Sequence, residues 1–222
     1  MDSINFFISF IKRDLKTELS YKFNFFVRIG GILFQILIFY FISKLVGPAA
    51  GRHLEGFGGD YFSFVLIGIA FTNYLGWACN HLSESIRQEQ LYGTLESLLL
   101  APAGSVRLIT GLFSWSFILT TLEVTAYIIL GRLFLGAAVV MPDIFASVTA
   151  LALSIFSLIP FGIAAAGFII VFKKGDIISL GVVYLFQILG GVYFPVSILP
   201  EFLQKLSFAL PITHILEAFR AI

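Results

Sequence analysis

Residues 27–46 read VRIGGILFQILIFYFISKLV, twenty positions whose only charges are Arg28 at the start and Lys44 near the end. About 20 apolar residues in a helix cover the roughly 30 Å of hydrocarbon in a bilayer, and Lys44 lies close enough to the end to snorkel to the headgroups. Four further stretches follow: 61–79, 108–130, 144–172 and 177–194. The 144–172 stretch is long enough to tilt, and Pro160 is placed to kink it. The last is short and stops at Pro195. No segment alternates apolar with polar residues as a membrane barrel requires. The sequence therefore predicts an all-α integral membrane protein with five spans.

Composition agrees. Of 222 residues 59% are hydrophobic and 12% charged, against about 45–50% and about 25% in soluble domains. So few charges cannot cover a soluble surface of this size, which excludes a secreted globule, a cytosolic enzyme and a disordered chain. The net charge of +1 gives no field for nucleic acid, and no nucleic-acid partner is expected. The single cysteine, Cys79, rules out an intramolecular disulfide and a CxxC redox motif. His53, His81 and His214 lack metal-ligand spacing, so no metal site is expected.

Orientation follows from the basic residues in short loops. Lys12, Arg13, Lys16, Lys22 and Arg28 lead into the first span; Arg87 and Arg107 lie between the second and third, and Lys173 and Lys174 between the fourth and fifth. The other side holds Lys44, Arg52, Arg132 and Lys205. This bias predicts a cytoplasmic N-terminus, in a multi-pass protein of the cell membrane. Five spans leave the C-terminus outside, and Phe219-Arg220-Ala221-Ile222 resembles the start of another apolar run, so a sixth span is expected beyond Ile222.

The connecting segments carry the functional signal. Residues 1–22 are amphipathic at helical period, with Ile4, Phe7, Ile8, Ile11, Leu15 and Leu19 on one face and Lys12 and Lys16 on the other, as in a helix lying on lipid. The region 82–102 is cytoplasmic on this topology. Within residues 81–107, HLSESIRQEQLYGTLESLLLAPAGSVR, Ser85 and Gln88 form a capping-box pattern, Gly93 breaks that helix, and Thr94 caps a second one with Glu96 in its first turn. Leu95, Leu98 and Leu99 give this second helix an apolar face, and Pro102 ends it. Such a helix either docks in a partner's groove or folds back on the membrane surface. Residues 195–219 are broken by Pro195, Pro200 and Pro211, with Leu203, Leu206 and Leu210 at helical spacing, as in a short helix dipping into the outer leaflet. Broken helix at membrane depth survives only against protein or a water-filled cavity.

These two segments resemble the type-2 permeases of ATP-binding-cassette exporters, the small drug, polysaccharide and lipid exporter subunits. Arg87-x-Glu89 followed by Gly93-Thr94-Leu95-Glu96 and Pro102 is similar to the connecting and coupling helices of that family. Phe194-Pro195, Leu199-Pro200, Leu206, Pro211 and Arg220 are similar to its extracellular re-entrant region. The resemblance implies six spans per subunit, a second permease copy (identical or different) across a central path, and two cytoplasmic ATPase subunits. It assigns ATPase coupling to Arg87, Glu89, Gly93, Thr94, Leu95, Glu96, Leu98 and Leu99. The sequence contains no GxxxxGK loop; ATP and magnesium are accordingly expected on the partner ATPase, with no cofactor and no catalytic residue in this chain.

Polar residues within the spans are read two ways. Glu123 is either a substrate-path or proton-linked carboxylate, or a protonated structural group bonded to Thr120, Tyr127 or a neighbouring helix. Gln35, Asn73 and Gln187 suit interhelical hydrogen bonds, with Gln187 also a candidate for the path. Gly68, Thr72 and Gly76 form a small-residue stripe suited to close packing. Two other functions compete with an ATP-driven permease. One is an ion-coupled secondary transporter, which usually shows paired broken helices in internal repeats. The other is a membrane-embedded enzyme using Glu123 and His81 as acid and base.

Overall fold

The computed structural model describes residues 3–20, 22–51, 54, 60–81, 84, 91–94, 96–97, 100, 105–137, 149, 152–154, 156–161, 163–164, 167 and 175–221. Among these there is helix and turn but no strand. Among the described residues, the helices whose bounds are defined are α1 Ser3–Ser20, α2 Lys22–Ala50, α3 Tyr61–Gly76, α4 Ser105–Leu135, α5 Gly175–Leu189, α6 Glu201–Phe208 and α7 Pro211–Ala221. Among the described residues, three stretches are helical, long and apolar enough to cross a membrane: Phe23–Gly47, Tyr61–Asn80 and Ser114–Leu135.

The axis of the bundle is α3. It is apolar on every side, the pattern of a helix surrounded by others, and α2, α4, α5 and α7 all pack on it. Asp60 starts it by accepting hydrogen bonds from the Phe62 and Ser63 amides and the Ser63 hydroxyl. Helix α4 runs antiparallel to α3: Tyr74 donates to Thr121 Oγ1 (3.2 Å), Trp77 Nε1 to Ser116 Oγ (3.1 Å), and Gly131 receives the Leu66 side chain higher up. On α2, Ile32 and Ile36 face the core while Phe23, Phe26, Phe34, Phe41 and Leu45 face outward. An apolar patch of that extent is foreign to a soluble monomer and normal against lipid.

Three expectations change. The apolar run 177–194 is not one helix: α5 stops at Leu189, and Gly190–Phe194 turns. Gly191 makes the turn at φ +76°, a left-handed conformation that glycine adopts without steric cost. The amphipathic N-terminal helix turns a different face inward. Phe7 and Ile11 are half-buried along with Asp14 and Glu18, whereas Ile8 and Leu15 are exposed, because α1 packs against α4 and α2. In α6 the leucine spacing does not define the buried side: Leu206 is exposed and Ser207 is fully buried, its hydroxyl satisfied by the Leu203 carbonyl at 2.9 Å. Of the stretch 144–172, the described residues are helical.

Candidate functional site

The proline-rich segment after α5 folds into two helices tied to each other and to the core. Pro195 precedes a 3-10 turn at Val196–Ile198, Pro200 stands at the cap of α6, and Pro211 opens α7, where its missing N–H costs nothing. Side chains meet backbone carbonyls before α6 and between α6 and α7. Gln204 Nε2 donates to the Leu199 carbonyl (2.7 Å), Thr213 Oγ1 to the Ser207 carbonyl (2.7 Å), and the His214 ring meets the Phe208 carbonyl (2.8 Å). Two carbonyls at the end of α6 thus accept from side chains of the first turn of α7, and that of Ser207 also accepts from the Leu210 amide at 3.0 Å.

Arg220, near the end of α7, joins this region to the core. Its guanidinium donates to the carbonyls of Gly191 (2.8 Å), Val192 (3.3 Å) and Phe64 (3.0 Å) and lies 3.4 Å from the centre of the Phe64 ring. The cation thus sits at the carbonyl-rich C-terminal end of α5, where helix dipole and aromatic face both favour positive charge. Its Nε is buried without a hydrogen-bond partner among the described residues. Phe219 packs on Phe71 alongside, ring centres 3.9 Å apart. Gly68 makes the approach possible: a Cβ there would lie 2.5 Å from the Val192 carbonyl oxygen and 2.9 Å from Arg220 Nη2. The small-residue stripe therefore serves packing within the chain at Gly68. At Gly76 a Cβ would meet only Asn80 Nδ2, at 3.9 Å. Gly68→Ala should cost about 1–3 kcal/mol as an overpacking change, while Gly76→Ala should be nearly neutral. Thermal unfolding of the two variants side by side checks this.

A second polar group ties α1, α2 and α4. Arg28 Nε is 3.2 Å from Glu123 Oε1, and Arg28 Nη2 is 3.7 Å from Glu18 Oε1. Of the structural partners expected for Glu123, the contact found is to a neighbouring helix, as an ion pair with Arg28 of α2. One turn higher, Tyr127 donates to Gln35 Oε1 at 2.6 Å, and Asn73 faces the same hydroxyl. Gln187 bonds within its own segment, accepting from Tyr193 at 2.9 Å, and so braces the α5 turn rather than bridging helices. Neutralising Arg28 should cost about 1–3 kcal/mol, because it leaves Glu123 and Glu18 without their counter-charge, and neutralising Glu123 should cost less, because Arg28 keeps Glu18. The double variant Arg28→Gln/Glu123→Gln should lose less than the sum, as a double-mutant cycle of unfolding would show.

Between α3 and α4, Trp77–His81 forms a π-helical turn that leads toward the cytoplasmic segment expected to couple. Arg87, Glu89, Leu95, Leu98 and Leu99 lie outside the described residues. Gly93 is left-handed at φ +68°, Thr94 follows in non-helical conformation, and Glu96 and Ser97 are helical, with the Leu100 amide bonded to the Glu96 carbonyl (3.0 Å). Leu91, Tyr92 and Leu100 are 74%, 75% and 85% exposed. Apolar side chains that open on a polar loop mark a contact surface. Among the described residues no cluster of His, Cys, Asp and Glu is suited to a metal.

Of the residues picked out by sequence, the structure brings Glu123 to Arg28 and Gln187 to Tyr193, and it sets Pro195, Pro200 and Pro211 at the breaks of one folded unit. Compared with known families, residues 5–222 match the one described as ABC-2 type transporter. No curated protein and no solved structure matches the chain.

Proposed function

The chain belongs to the ABC-2 type transporter family of membrane transport subunits, and from that premise we propose that it is the permease of an ATP-driven exporter, forming half of a translocation path with a second permease copy. It is an integral, multi-pass membrane protein. In this reading the N-terminus is cytoplasmic in the cell membrane and five segments of the chain cross it. A separate cytoplasmic ATPase binds ATP and magnesium, and docks on the segment 94–101. The observation that carries the reading is the exposed apolar cluster Leu91, Tyr92 and Leu100 around the left-handed Gly93. In this reading the ATPase covers these apolar side chains. Movement of the docked segment would reach the core through the π-helical turn and α3, tilting the spans between inward-open and outward-open states.

The competing readings are weaker on one point. An ion-coupled transporter or an intramembrane enzyme needs an available acid in the bundle, and Glu123 is engaged by Arg28.

Coexpression with candidate ATPases tests the docking. The wild-type chain should copurify with its ATPase, and Leu98→Asp should not, because docking would desolvate an unpaired carboxylate. Leu98→Asp should still insert in the membrane; copurification at the wild-type level would remove the docking segment from the account. In intact cells, cysteine placed at exposed Lys205 should react with an impermeant thiol reagent, and cysteine placed at Gly93 should react only after permeabilisation. The opposite pattern would invert the orientation.

A further inference from the structure

Charge is sorted around α1 in a way that its packing does not require. Its carboxylates are on the half-buried side and both have partners: Asp14 pairs with Arg13 at 2.7 Å, and Glu18 with Arg28 at 3.7 Å. Its outward side carries Lys12 and Lys16, one turn apart and exposed, and among the described residues neither has an acidic partner. Flanking them, Ile8 and Leu15 are exposed at 40% and 37%. One residue separates α1 from α2, whose first turns expose Phe23, Phe25 and Phe26. The outward face thus joins two unpaired ammonium groups to apolar side chains beside a helix that meets hydrocarbon. A protein core neighbour would leave the ammonium groups desolvated; a neutral lipid surface would leave them without counter-charge. An anionic lipid surface satisfies both halves, with phosphates for the lysines and acyl chains for Ile8, Leu15 and the phenylalanines.

We propose that the Ile8–Lys12–Leu15–Lys16 face of α1 binds anionic phospholipid headgroups. This rests on the cytoplasmic placement of α1 in the proposed function. Because Arg28 links Glu18 of α1 to Glu123 of α4, lipid held on this face bears on the bundle as well as on the N-terminal helix.

The test uses the full chain reconstituted in vesicles of phosphatidylcholine alone or of equal parts phosphatidylcholine and phosphatidylglycerol. After gentle solubilisation, the lipid retained per protein is measured by native mass spectrometry. Wild type should retain phosphatidylglycerol in preference to phosphatidylcholine, and Lys12→Gln/Lys16→Gln should reduce that preference by about fivefold per lysine, roughly 25-fold in all. High salt should weaken the wild-type preference in the same direction. Lys205→Gln, at an exposed position on α6, should leave it unchanged. Both lysines are exposed, so the double variant should unfold at the wild-type temperature. An unchanged phosphatidylglycerol preference in the double variant overturns the proposal, as does an equal loss of both lipids. If the variant keeps its lipid preference but no longer copurifies with the ATPase, the face binds protein and the proposal also fails. None of these readouts needs ATP or transport, so failure here is distinct from failure of the exporter reading.

Discussion

Replacing Arg220 with methionine is expected to destabilise the chain by about 2–4 kcal/mol and to abolish transport. The side chain keeps its length but loses the charge and all donors, stranding the Gly191 and Val192 carbonyls, each worth about 1–3 kcal/mol when buried and unpaired. The contact over the Phe64 ring is lost as well. Part of the loss is returned because no guanidinium remains to be desolvated, which sets the upper bound. Arg220→Lys should recover only a fraction, since one ammonium cannot hold three carbonyls and a ring face as a planar guanidinium does. The expected lesion is local: α7 and the α5 turn come away from α3, while the α2–α3–α4 core persists. Hydrogen exchange should therefore rise at 190–221 and stay low at 61–76. Equal exchange in both regions, or wild-type stability of the methionine variant, would deny Arg220 this role.

The second large effect lies at Gly93. Its φ of +68° is closed to proline, whose ring fixes φ near −65°, so Gly93→Pro must rebuild the turn that separates the two short helices. Gly93→Ala meets no steric neighbour within 4 Å and pays only about 1–2 kcal/mol for the left-handed conformation. Transport should fall by about tenfold or more for proline, the response to a barrier change of about 1.4 kcal/mol or more, and modestly for alanine. Insertion should change little in either case, since the position is exposed and outside the long apolar helices, and the alanine variant should unfold only a few degrees below wild type, about 2–4 °C per kcal/mol. Equal transport by the proline variant would show that the turn plays no part in coupling.

What the sequence makes legible here is set by range. Apolar length and the scarcity of charge are properties of single segments, and they suffice to read helices over 27–46, 61–79 and 108–130. The proline breaks at 195, 200 and 211 are local in the same sense. The helix before Pro195 is legible as an apolar run, but the left-handed Gly191 fixes where it ends. Contacts across the sequence are another matter. Arg28 reads as one more cytoplasmic cation and Glu123 as an isolated acid, because nothing in either neighbourhood reveals that α2 and α4 lie side by side. Arg220 is visible only as part of a family pattern; its role depends on Gly68 and Gly191 converging on one point. Helical spacing likewise defines a stripe without saying which neighbour it meets. That is why Ile8 and Leu15 of α1, and Leu206 of α6, face outward here.

The central claim is that a separate ATPase drives transport through this chain, and inverted vesicles test it most directly. Vesicles holding the chain and its ATPase would be given a panel of fluorescent apolar compounds on the outside, with ATP present or absent and with a protonophore and a sodium ionophore added in turn. The account predicts accumulation that requires both ATP and the ATPase, survives the ionophores, and is lost with Leu98→Asp. Accumulation by the chain alone that needs no ATP and collapses with an ionophore would contradict it.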